Sequence, residues 1–167
     1  RSQLSAVLVT SFSCLSLLSV AHAEWPQWRG PNRDDVSTEK NLLQEWPEGG
    51  PPRVWMFENA GVGYSGPAIV GDRLYTMGAR DGKELLLVLD ANTGKEIDAV
   101  EIGDVLENNW GDGPRSTPTV DGKFIYALGA QGNLVCIEAA TGELRWKKSM
   151  QELGGSIPTW GFTESPL

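Results

Sequence analysis

The feature that most constrains this chain is an internal repeat with a spacing of about 50 residues. Residues 65–78 (SGPAIVGDRLYTMG) align with residues 116–129 (STPTVDGKFIYALG). Proline, tyrosine and glycine recur at matching positions of the two copies, namely Pro67 and Pro118, Tyr75 and Tyr126, and Gly78 and Gly129. Because the whole series of matching residues occurs twice in the same order, it is strong evidence for a repeat, whereas one isolated match would not be.

The repeat continues through the second half of each copy. Residues 89–96 (LDANTGKE) align with residues 137–144 (IEAATGEL), and a third copy begins at residues 164–166 (ESP). We place the first repeat at about 64–98, the second at about 115–146, and the start of a third at 164–167. Self-similarity at this period, with several short strands in each copy, is the sequence signature of a β-propeller.

The second copy predicts four antiparallel strands. Apolar runs at Thr117–Val120, Phe124–Leu128 and Leu134–Ile137, with a fourth that ends at Trp146, are separated by tight-turn residues. Both faces of these strands are largely apolar, so each sheet needs a neighbouring sheet on either side. The first copy carries three extra residues within 80–83, which predicts a longer hairpin.

The predicted fold class is therefore all-β, a β-propeller of four-stranded antiparallel blades. Residues 53–167 would supply about two blades and the start of a third. Propellers use about four to eight blades, so the intact protein is expected to have roughly 300 to 400 residues. We accordingly expect this chain to be a fragment that is truncated at both ends.

The first 23 residues are typical of a secretory signal peptide. Arg1 precedes a mostly apolar stretch over 4–20, and residues 21–23 (AHA) provide the expected cleavage pattern. Several hydroxyl residues interrupt the stretch, which disfavours a membrane anchor. The sequence predicts export, to a periplasm or the extracellular space, with no transmembrane span after cleavage.

Composition limits the chemistry of the mature chain. The net charge of −8 and the absence of basic clusters argue against a nucleic-acid partner. The single histidine, His22, leaves with the signal peptide, and Cys136 is the one cysteine that remains. A zinc site or a Ser-His-Asp triad cannot be built from these residues. We predict no catalytic residue and no metal site here, and a buried free thiol at Cys136.

Residues 24–52 form a turn-rich lead-in without helical or strand periodicity. We expect Trp25, Trp28 and Trp46 to anchor it against a packed surface; an aromatic binding platform is the alternative. Residues 53–57 (RVWMF) resemble the run that ends at Trp146 and predict a strand that completes a blade.

The two connections after the repeats recur on the same face of the predicted ring, and each carries a Trp-Gly pair. Loops that a rigid scaffold holds on one face often carry function. The tryptophans either cover the rim of a blade or, together with a nearby arginine, line a central binding funnel formed by Trp110, Arg115 and Trp160. The carboxylates Asp104, Glu107 and Asp112 lack the spacing of a calcium loop.

The repeat resembles the PQQ (pyrroloquinoline quinone) enzyme repeat, and residues 25–33 (WPQWRGPNR) resemble the opening of secreted bacterial PQQ-like propeller proteins. The blade motif of that family is A-x-D-x-x-T-G-x-x-x-W. The second copy matches it at Thr141, Gly142 and Trp146, with Cys136 and Glu138 in the Ala and Asp places. The first copy matches it at Asp90, Thr93 and Gly94, with Val88 and Asp98 in the Ala and Trp places. The resemblance implies that the motif Trp docks on the Thr-Gly turn of a neighbouring blade.

The resemblance implies two classes of function. One is an exported propeller that acts as a binding or interaction scaffold, with a protein or a small ligand at the propeller face and no evident cofactor. The alternative is a quinoprotein dehydrogenase that holds PQQ and calcium and oxidises alcohols or sugars in the periplasm. No haem-attachment motif or vicinal cysteine pair favours the enzyme, so we expect the scaffold.

Overall fold

The computed structural model describes residues 24–167, so the predicted signal peptide lies outside the described residues. Within this range the chain is all-β, without helices, and forms two four-stranded antiparallel sheets. In the first sheet the strands are β1 (Ala68–Val70), β2 (Arg73–Arg80), β3 (Lys83–Asp90) and β4 (Glu96–Asp104). In the second they are β5 (Thr119–Asp121), β6 (Phe124–Leu128), β7 (Asn133–Glu138) and β8 (Leu144–Ser149).

Each sheet is a simple meander, in the orders β1-β2-β3-β4 and β5-β6-β7-β8. This confirms the predicted fold class, a partial propeller of four-stranded antiparallel blades. The extra residues of the first copy lengthen its strands and not its loop: β2 and β3 have eight residues each, against five in β6 and six in β7. A two-residue turn joins β2 to β3, and its residues Asp81 and Gly82 both have positive φ, as a tight hairpin requires.

The core lies between the two sheets, because each contributes buried apolar side chains to one cluster. From the first sheet these are mainly Tyr75, Met77, Leu86, Val88 and Ile102, and from the second Val120, Ile125, Ala127, Val135 and Ile137. Each fully buried aliphatic side chain contributes about 1.5–3 kcal/mol. Cys136 on β7 is buried, as predicted, and forms no disulfide within residues 24–167.

The lead-in runs along the free edges of the two first strands. Trp25 forms an antiparallel bridge with Ile69 of β1, with both N–H···O distances at 2.8 Å. The carbonyl of Pro26 then accepts a hydrogen bond from the N–H of Val120 in β5. The predicted anchoring is confirmed for Trp25 but is wrong for Trp28 and Trp46, which are 53% and 71% exposed.

The segment Arg53–Phe57 is not a strand in this structure, contrary to the prediction. None of the eight described strands pairs with residues 53–57. Completion of a blade by this segment stays a prediction. Its central residue, Trp55, makes a different contact, with the first Thr-Gly turn.

Residues 24–167 contain no helix that is long and apolar enough to cross a lipid bilayer.

Candidate functional site

The Thr-Gly turn between β3 and β4 is covered by Trp55. The indole Nε1 of Trp55 donates a hydrogen bond of 3.0 Å to the carbonyl of Ala91. The ring lies so close to Gly94 that a Cβ added there would come within 2.5 Å of the indole Cε3. Gly94 also has a φ of 70°, which only glycine adopts readily. Position 94 therefore requires glycine, both because its φ is positive and because the Trp55 ring leaves no room for a Cβ atom.

The equivalent turn between β7 and β8 is faced by Asp98. A Cβ added at Gly142 would lie 2.1 Å from the Oδ2 atom of Asp98. Asp98 thus occupies the docking place that the resemblance implies for a tryptophan, on the turn of the next repeat. Trp146, the tryptophan of the second motif, packs against Tyr126 with ring centroids 6.1 Å apart and remains 39% exposed. The predicted motif positions are therefore structural contacts.

Glu84 is a buried carboxylate that joins the two blades. It lies on β3 with 1% exposure, and its Oε2 atom accepts a hydrogen bond of 2.8 Å from the N–H of Ala130 in the second repeat. Its Oε1 atom accepts one of 3.3 Å from the N–H of Leu106. Burial raises the pKa of Glu84, and these two donors and the charge of Arg115 partly oppose the rise.

Glu84 escaped the sequence analysis. The signal that could have found it is its place in β3, where Glu84 alternates with Leu86 and Val88 and so shares their buried face. Buried polar groups need hydrogen-bond partners, and here those partners lie in the next repeat and the connection to it.

The predicted loop tryptophans lie together. The rings of Trp110 and Trp160 have centroids 5.0 Å apart and planes tilted by 47°. Trp110 is 68% exposed and Trp160 is 51% exposed. Exposed tryptophan pairs are unusual, because each ring carries a large apolar surface. Together they form an aromatic patch on the loops that follow the two blades.

Asn108 holds the two loops together. Its Nδ2 atom donates a hydrogen bond of 2.6 Å to the carbonyl of Thr159, next to Trp160. Its Oδ1 atom accepts one of 3.0 Å from the N–H of Trp110. The N–H of Asn108 itself donates to Asp112 Oδ1 at 2.8 Å. This side chain therefore joins the backbones of the two loops that carry the tryptophans.

An open depression of about 700 Å³ adjoins the tryptophan pair. Its lining is polar or acidic apart from the indole, and consists of Glu107, Asn108, Asn109, Trp110, Asp112 and Thr159. Asp104, the other carboxylate considered for calcium, instead pairs with Lys83 at 2.7 Å. Within residues 24–167 no three His, Cys, Asp or Glu side chains gather as metal ligands.

Arg115 lies in a separate groove. Its guanidinium donates hydrogen bonds to the carbonyls of Gly111 and Gly113, and it lies 5.6 Å above the ring centre of Tyr64. The groove has a volume of about 610 Å³, and the side chains of Arg115, Tyr64 and Trp28 line it. The rest of its lining comes from the start of three successive repeats, namely Gly66, Thr117, Thr163, Glu164, Ser165 and Leu167.

The three residues of the predicted funnel are therefore divided between two places. Trp110 and Trp160 form the exposed patch, whereas Arg115 supports the backbone of the loop that carries Trp110 and lines the groove beside the first strands. The sequence spacing indicated that the loops share a face, but not which way the Arg115 side chain points.

The repeat pattern, the meandering blades and the Thr-Gly turns are together the features that the resemblance to PQQ-like repeat proteins predicts. Residues 83–161 match the sequence profile of a family described as outer membrane protein assembly factor BamB. Over these residues, slightly less than half of the chain, the sequence is similar to the PQQ-like repeat family.

A curated relative is the outer membrane protein assembly factor BamB of Pseudomonas aeruginosa. It is 35% identical over 75 residues, which cover 36% of this chain and 20% of the relative. The match thus spans about a fifth of the relative's length. A solved quinohemoprotein alcohol dehydrogenase from Pseudomonas putida HK5 is 22% identical, with a TM-score of 0.42 over 57% of this chain and 14% of that one.

Proposed function

We propose that this chain is part of an exported PQQ-like propeller that acts as a binding scaffold for protein partners in the bacterial envelope. The observation that carries the proposal is the exposed pair Trp110 and Trp160, which Asn108 holds in a fixed arrangement on the loops after two blades. Rigidly presented aromatic side chains are typical anchors of protein interfaces. The similarity to an assembly factor of outer membrane proteins supports a protein partner.

The alternative function, a PQQ-dependent dehydrogenase, needs a site for an anionic quinone. The groove beside the first strands offers one cation, Arg115, whose guanidinium already donates to Gly111 and Gly113. Glu164 brings a negative charge into the same groove. These residues fit an anionic quinone poorly, and we assign no catalytic step to them.

Site-specific photo-crosslinking in the native cell envelope tests the scaffold. A benzophenone amino acid replaces Trp110 or Trp160 in the full-length protein, and the matched control replaces Trp46, an exposed tryptophan of the lead-in. We expect one discrete crosslinked protein from positions 110 and 160 and none from position 46. Identical crosslinks from all three positions would contradict the proposal.

An activity assay tests the alternative. The purified full-length protein is loaded with PQQ and calcium and offered a panel of alcohols and sugars, with reduction of an artificial dye as the readout. We expect no reduction above the rate without PQQ. PQQ-dependent turnover would replace the scaffold with the dehydrogenase.

A further inference from the structure

We propose that the Trp110–Trp160 patch and the acidic depression beside it bind an arginine-bearing segment of the partner protein. This inference rests on the proposed scaffold function and specifies the chemistry of the partner at the same surface. The proposed binding surface consists of the two indole rings of the patch and the carboxylates of Glu107 and Asp112, which line the depression.

The first argument is charge. Glu107 and Asp112 are both exposed and both line the depression, and neither forms an ion pair with another described residue. The depression has no basic residue among those that line it. The chain as a whole carries a net charge of −8. An anionic ligand would be repelled at this place, whereas a cation would be attracted.

The second argument is the chemistry of the aromatic surface. The electron-rich face of an indole attracts cations, and the planar guanidinium of arginine stacks on such a face more readily than a lysine ammonium does. Arginine can also bind a carboxylate through two parallel hydrogen bonds. The Trp110 ring and the carboxylates of Glu107 and Asp112 line one depression, so one guanidinium could stack on the indole and pair with a carboxylate.

The third argument is rigidity. Asp112 accepts a hydrogen bond from the N–H of Asn108, and the Asn108 side chain connects the backbone of Trp110 to that of Thr159. The Asp112 carboxylate and the backbones that carry Trp110 and Trp160 are therefore held together before a partner arrives. A preorganised surface loses less entropy on binding.

Neutral glycans are the competing ligand class, because sugar rings also stack on indoles and their hydroxyl groups bind asparagine and aspartate. Glycan binding does not require charge on the ligand or on Glu107. The charge of the ligand and the charge of Glu107 therefore distinguish arginine binding from glycan binding.

The test measures binding of short peptides to the full-length protein by fluorescence anisotropy. The probe is a labelled peptide of alternating glycine and arginine with three arginines, and its matched control replaces each arginine with citrulline, which keeps the shape and removes the charge. Maltohexaose and chitotetraose serve as glycan competitors. We expect the arginine peptide to bind at least tenfold more tightly than the citrulline peptide, and we expect neither glycan to displace it.

Variants locate the binding surface. Trp110→Ala and the double variant Glu107→Gln with Asp112→Asn are each expected to weaken arginine-peptide binding at least fivefold. Trp46→Ala, which removes another exposed tryptophan, should change it less than twofold. The amide replacements keep the acceptor for the Asn108 N–H, and unchanged melting temperatures verify that the loops remain folded.

Four outcomes would overturn the inference: equal binding of the citrulline peptide, displacement by a glycan, an equal loss in Trp46→Ala, or no binding of the arginine peptide. A crosslinked protein at positions 110 and 160, together with any of these results, would leave the scaffold function intact and refute only the arginine chemistry.

Discussion

The two Thr-Gly turns have nearly the same backbone but different supports. Gly94 and Gly142 have φ values of 70° and 71°, and their N–H groups bind the carbonyls of Asp90 and Glu138 at 2.8 and 2.9 Å. The first turn is covered by the ring of Trp55, whereas the second is faced by the carboxylate of Asp98. One turn geometry thus accepts an aromatic or an acidic neighbour.

The side chains inside the turns differ as well. Asp90 Oδ1 accepts hydrogen bonds from the N–H and hydroxyl of Thr93, each at 2.8 Å. In the second turn the longer Glu138 instead forms an ion pair with Arg145. The comparison teaches that glycine sets the path of the turn, while each repeat stabilises that path with whichever neighbours it has.

Alanine at the two glycines should give the largest difference. Gly94→Ala brings a methyl group against the Trp55 ring and forces a positive φ, and we expect a loss of about 3 kcal/mol in unfolding free energy. Gly142→Ala forces the same φ but meets the end of a rotatable Asp98 side chain, so a loss of about 1.5 kcal/mol is expected. Urea unfolding of the full-length protein measures both, and equal losses would show that the two supports are equivalent.

Removal of the covering side chains should give the next largest difference. Trp55→Ala deletes the packing on Gly94 and the hydrogen bond to Ala91. Because Trp55 is only partly buried, we expect a loss of about 2 kcal/mol, below the range for core tryptophans. Asp98→Ala should cost less than about 0.5 kcal/mol. A larger loss in Asp98→Ala than in Trp55→Ala would reverse the comparison.

Restoring the motif residue makes the second turn resemble the first. Asp98→Trp places an indole against Gly142, and we expect a gain of about 1 kcal/mol from the apolar area that it buries. Asp98→Leu is the control, because it adds apolar surface without an indole N–H to reach the turn. If Asp98→Trp destabilises the protein, the space beside Gly142 is too small for an indole ring like the one that covers Gly94.

Removal of the Thr93 hydroxyl should change the acid sensitivity of the first turn. Hydrogen bonds from Thr93 lower the pKa of Asp90 below its usual 3.8. The stabilisation by ionised Asp90 is therefore fully present above the unfolded pKa and is lost as pH falls through the lowered value. Thr93→Val should flatten the decline in melting temperature below pH 4, whereas Thr141→Val in the second turn should leave it unchanged. If the melting temperatures of the wild type and of Thr93→Val fall in parallel below pH 4, the assigned role of the Thr93 hydrogen bonds is wrong.

The sequence predicted the features that depend on local patterns. The β6 strand was predicted as Phe124–Leu128 and occupies the same residues, because its apolar run ends at turn residues on both sides. Docking of Trp55 on Gly94 was not predicted, although residues 53–57 resemble the run that ends at Trp146, the tryptophan of the second motif. The bond from Ala130 to Glu84 was missed because it joins distant positions that carry no shared motif. The pairing of Trp110 with Trp160 depends on loop conformations that the repeat spacing does not determine.

The bridge between Trp25 and Ile69, and the bond from Val120 to the Pro26 carbonyl, have a consequence for the order of assembly. During synthesis the lead-in emerges before either blade, yet its hydrogen-bond partners belong to both of them. Contacts between distant positions form late, because the intervening chain must first be ordered. The segment that is made first would thus be among the last to dock, and its docking would report that two neighbouring blades have already formed.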